Sequence, residues 1–80
     1  MDVEAIAHTV REILSRAATG TVVIVRKDGA VEVEAAGDHR SSGERRERPA
    51  AVFVRTSAPL AHQEAVDRIR QGFRKLQVLR

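Results

Sequence analysis

Eighty residues with a net charge of +3, no cysteine and two aromatic residues make one small domain with a thin aliphatic core. A chain of this length buries only about 60–65% of its unfolded surface. Without cysteine, neither disulfides nor thiolate–metal sites reinforce the core, and no apolar stretch reaches the roughly 18–20 residues that span a bilayer.

The acidic start Met1-Asp2-Val3-Glu4, followed by a polar–apolar periodic run, is unlike a signal peptide, so a cytoplasmic protein is expected. Residues 2–18 then read as an amphipathic helix. Val3, Ile6, Val10, Ile13, Leu14 and Ala17 recur at three- and four-residue steps and form one apolar stripe. Asp2 is the expected N-cap, Glu4 and Arg16 suit the two ends of the helix dipole, and Gly20 is the expected stop.

A β-hairpin follows. The runs 21–26 and 30–35 flank Lys27-Asp28-Gly29, and an Asp-Gly pair between alternating apolar residues predicts a type I′ turn. Val22 to Val25 is apolar on both faces, as in an inner strand. In the second strand Val31, Val33 and Ala35 are expected inward, with Glu32 and Glu34 outward.

Residues 37–49 contain no aliphatic side chain and exceed the usual connection of about 4–6 residues, so a mobile or functional loop is expected there. Pro49 opens a third strand at 50–56, with Val52 and Val54 on one face and Ala51, Phe53 and Arg55 on the other. A second amphipathic helix is expected over 58–75, capped by Ser57 or Thr56, with Pro59 in its first turn. Its stripe is Ala65, Val66, Ile69, Phe73 and Leu76. Gly72 is either a weak point within it, at a cost of about 1 kcal/mol relative to Ala, or a place of close packing. The tail 76–79 alternates enough to form a short fourth strand, with continued helix or fraying as the alternatives.

The expected fold is therefore α+β, in the order helix–hairpin–strand–helix (αβββα). A small, mainly antiparallel sheet packs both helices on one face. This order resembles that of double-stranded-RNA-binding domains. Where those domains carry a Lys-rich motif at the second helix, Leu60-Ala61-His62-Gln63-Glu64 has no Lys or Arg, and their groove-reading connection between the first two strands is here the short Asp28-Gly29 turn. The resemblance is one of element order, and no residue role is carried over.

Catalytic constellations are not visible. His8, His39 and His62 share no metal-ligand spacing. Asp38, His39 and Ser41 lie too close together in one loop to form a supported nucleophile–base–orienter line. No metal, cofactor, membrane or small-molecule substrate is expected. The charge distribution is the functional hint. Residues 1–36 carry four basic and six acidic side chains, residues 37–80 ten and five, so the halves differ as −2 against +5. Twelve Arg against two Lys fits a GC-rich codon bias and is itself weak evidence for phosphate binding.

Two function classes stand. The first is a small non-enzymatic binding or regulatory module of a bacterial type, acting through protein–protein contact with a partner or as a homodimer. The second is a nucleic-acid-binding module. Its candidate contacts are Arg40, Arg45, Arg46 and Arg48 in the loop, with Arg70, Arg74 and Lys75 on the second helix.

Overall fold

The computed structural model describes residues 2–35 and 48–78. They form α1 (Val3–Arg16), β1 (Val22–Val25), β2 (Val31–Glu34), β3 (Ala51–Val54) and α2 (His62–Val78). The fold is the expected α+β arrangement, a three-stranded antiparallel sheet with both helices packed on one face.

Asp2 caps α1 as its sequence position predicts, Oδ1 accepting from the Ala5 N–H at 3.3 Å. The helix ends at Arg16, and Gly20, with φ of 94°, turns the chain into β1. That left-handed backbone suits a residue without Cβ.

The hairpin forms with a different turn from the one Asp28-Gly29 predicts. Only Gly29 has positive φ (93°), whereas a type I′ turn needs it at Asp28 as well. The Gly29 N–H donates to Arg26 O at 2.9 Å and the Arg26 N–H to Ala30 O at 2.8 Å. The loop is thus the three residues Lys27–Gly29, closed by a turn and a left-handed glycine. Asp28 Oδ1 accepts from the Ala30 N–H at 3.0 Å and favours this longer form.

β1 lies in the middle of the order β2-β1-β3, as its apolar faces predict. Val23 pairs with Val33 on one side and Phe53 on the other. Because β2 and β3 both run antiparallel to β1, they run parallel to each other. Joining two parallel strands takes a dozen or more residues, which accounts for the length of the polar connection. The mobile or functional loop expected at 37–49 lies, up to residue 47, outside the described residues.

One sheet face carries Val23, Val25, Val31 and Phe53, covered by Ala7, Val10 and Leu14 of α1 and Ala65, Val66 and Ile69 of α2. Val33 shares that face but stays 52% exposed at the sheet margin. The opposite face carries Val22, Ile24, Val52 and Val54 with Arg26, Glu32 and Glu34; neither α1 nor α2 packs on it, yet Ile24 and Arg26 are buried there.

Two expectations for the second helix are corrected, its start and its cap, and the open reading of its tail is decided. It starts at His62, not near residue 58. Pro59 disfavours helical backbone at Ala58, and Thr56, instead of capping the helix, closes a local turn by accepting from the Ala58 N–H at 3.2 Å. At its other end the helix runs on through Val78, so of the alternatives open for the tail continued helix, not a strand, is found over 76–78. Leu76 continues the stripe from Phe73 and packs against the core, and the helical period prevails over the alternation. Gly72 is a close approach. A Cβ there would sit 1.6 Å from Ala50 O, so α2 meets the backbone just before β3. No helix among the described residues is long and apolar enough to cross a membrane.

Candidate binding groove

A groove of about 430 Å³ opens where the end of α1, the outer edge of β3, the connection 56–61 and the start of α2 meet. Leu14, Phe53 and Leu60 supply its apolar lining, and Arg11, Arg55, Arg68 and Glu64 its charges. Each arginine arrives from a different element, and each is anchored by a backbone carbonyl.

Arg11 projects from the exposed side of α1 and donates from Nε to Leu60 O at 2.8 Å. Arg55 follows β3 on the same face as Phe53. It donates from Nε to Ala17 O at 3.4 Å and from Nη1 to Thr56 O. Arg68 reaches from α2 across the edge of β3 and donates from Nη2 to Val52 O at 2.7 Å. Its guanidinium carbon lies 4.3 Å from the centre of the Phe53 ring, a cation–π contact worth about 0.5–1 kcal/mol at an exposed position.

None of these three guanidinium groups has a carboxylate within ion-pair distance among the described residues. The ion pairs there are His8–Glu12, Arg16–Glu12 and Arg26–Glu32. A guanidinium carries five N–H donors, so each arginine keeps most of its donors available after its carbonyl contacts. Positions held in advance lose less rotamer freedom on binding. The arrangement can therefore receive an anion with Arg11 and Arg55 already placed.

The β3 edge adds backbone donors and acceptors. The Arg55 N–H donates to Thr21 O at 2.8 Å and Arg55 O accepts from the Gly20 N–H at 2.9 Å, so both Arg55 groups face β1. Alternation along the strand turns both groups of Val54, and both of Val52, to the outer edge. The Arg68 bond to Val52 O agrees with that direction.

Those residues singled out in the sequence that are described do not line this groove. Arg40, Arg45 and Arg46, with Asp38, His39 and Ser41, lie outside the described residues. Arg48 is exposed, and Ala50, two residues on, meets α2 at Gly72. Arg70, Arg74 and Lys75 are exposed on α2. At about 100° per residue, Arg70 and Arg74 share one flank of the helix, while Lys75 lies in line with Arg68 on the other. His8 is exposed and pairs with Glu12 at 3.8 Å, and His62 is half-buried at the start of α2. No group of three or more metal-ligating side chains occurs among the described residues.

Arg11, Arg55 and Arg68 were not among the sequence candidates. One signal could have found Arg55, because a charge sits at the inward parity of a strand whose other inward residues are Ala51 and Phe53. No protein-family model, no curated protein and no solved structure matches the chain.

Proposed function

We propose that the chain is a non-enzymatic binding module that engages a protein partner through the groove between α1, β3 and α2. The observation that carries this reading is the cluster of Arg11, Arg55 and Arg68 around Leu14, Phe53 and Leu60, without an ion-pair partner among the described residues. Apolar lining with a few converging polar groups is the general character of a ligand site, and this one selects for negative charge. Its hydroxyl groups support binding over catalysis. Ser15 donates to Glu12 O and Thr56 to Ala58 O, and among the described residues no histidine lines the groove.

Nucleic acid is the competing partner class. The chain has no Tyr or Trp on which bases stack, and Arg70 and Arg74 lie on the flank of α2 away from Arg68.

The test is a titration with an oligoglutamate peptide carrying one Trp, whose fluorescence is unobscured because the protein has no Trp or Tyr. The peptide is expected to bind the wild type and to be lost with the Arg11→Glu/Arg68→Glu variant. The Arg70→Glu/Arg74→Glu variant should retain it. A duplex oligonucleotide that binds instead, and is lost with the second variant alone, would transfer the function to the nucleic-acid class.

A further inference from the structure

We infer that the partner segment binds as an extended strand added along the outer edge of β3, with acidic residues alternating with aliphatic ones. This rests on the groove being the binding surface and goes further in fixing the ligand's conformation and pattern.

Three observations converge on it. First, β3 is an edge of the sheet among the described residues, and the N–H and C=O of Val54 turn outward beside the groove that Val54 lines. An unpaired edge is a template for a further strand. Second, the two faces of β3 differ. Phe53 and Arg55 lie on the side of α1 and α2, where Arg11 and Arg68 converge, whereas Val52 and Val54 lie on the opposite side, 38% and 51% exposed. A strand beside β3 places successive side chains on alternate faces. Carboxylates on the helix side would then meet the guanidinium groups, and aliphatic side chains on the other would extend the row of Val22, Ile24, Val52 and Val54.

Third, Arg68 now donates to Val52 O, the carbonyl an incoming N–H would use. Strand addition exchanges this bond for a backbone one. The released guanidinium fork then pairs with a carboxylate of the incoming strand, and such charge-assisted pairs are roughly twice as strong as neutral hydrogen bonds. The resting contact thus guards the edge against strands that lack an acidic residue at that place.

The experiment compares two Trp-tagged peptides of equal composition, one alternating Glu and Val, the other with the Glu and Val residues in separate blocks. Affinity is measured by fluorescence, and exchange of the Val52 and Val54 amide hydrogens by NMR. The alternating peptide is expected to bind roughly tenfold tighter or more, and to slow exchange at Val54. Arg68→Glu should weaken it by a similar factor. Arg68→Lys, which keeps the charge without the fork, serves as the second variant where the first disturbs folding, and it should lose part of the preference. Equal affinity for the two peptides, or binding without protection at Val54, overturns strand addition and leaves the groove reading standing. Failure of both peptides, together with oligoglutamate, removes both.

Discussion

At the scale of single residues, the contact between Gly72 and Ala50 decides a substitution that helix propensity alone would misjudge. Replacing glycine by alanine inside a helix ordinarily stabilises it by about 1 kcal/mol. Here the new methyl would fall 1.6 Å from a backbone oxygen, which no rotamer change relieves. Gly72→Ala is expected to cost about 1–3 kcal/mol net, from displacing α2 relative to the start of β3. A thermal melt should show a lower Tm, by several degrees for each kcal/mol in a domain of this size; a higher Tm would show that the helix shifts freely. Arg26 gives a second test. It is 8% exposed on the sheet face away from α1 and α2, and its Nη2 lies 2.9 Å from Glu32 Oε1. Glu32→Ala leaves a buried guanidinium with one carboxylate fewer and should cost about 1–3 kcal/mol. Arg26→Met, which removes the buried charge itself, should stay within about 1 kcal/mol of the wild type by denaturant unfolding.

At the scale of elements, α2 begins without a side-chain cap, since Ala61 precedes His62 and offers no acceptor. Glu64 already stands where the reciprocal member of a capping box belongs. Ala61→Ser should therefore stabilise the domain by about 1 kcal/mol, measured as a raised midpoint of denaturation at unchanged slope. An unchanged midpoint would place the true cap elsewhere. The same helix start shows where the sequence is legible. Periodicity identified both helices and all three strands, because the stripe of Val66, Ile69 and Phe73 and the alternation in β3 are imposed by burial on one side. The boundary was not legible, because Thr56 and Ser57 fit a cap equally well on paper. The choice depended on Pro59 and on a turn closed by Thr56 itself. The turn at Asp28-Gly29 failed for a similar reason, as the Asp28 side chain stabilises a three-residue loop of nearly the same sequence. The groove was least legible of all. Arg11, Arg55 and Arg68 are far apart in the chain, and only the packing of α1 and α2 against β3 brings them to one opening.

At the scale of the whole molecule, the exposed valines at the sheet margins raise the question of whether a second copy covers them. A stable dimer needs about 800 Å² from each partner, and the large apolar side chains exposed among the described residues are Val33, Val52 and Val54 alone. Pairing along β2 would set Glu32 and Glu34 beside the same carboxylates of the other copy, which is destabilising. Pairing along β3 would match valines with valines, but Arg68 holds the Val52 carbonyl that such a ladder requires. The expected mass in solution is therefore that of one chain, 8.8 kDa. Arg68→Ala should raise it with concentration, since the edge loses its guard while its valines remain. Light scattering coupled to size exclusion reads both. A wild-type mass near twice that of one chain would mean that β3 pairs in spite of Arg68. The groove at its edge would then belong to an interface between copies, and an acidic strand would have to compete with the chain's own β3 for the same backbone groups.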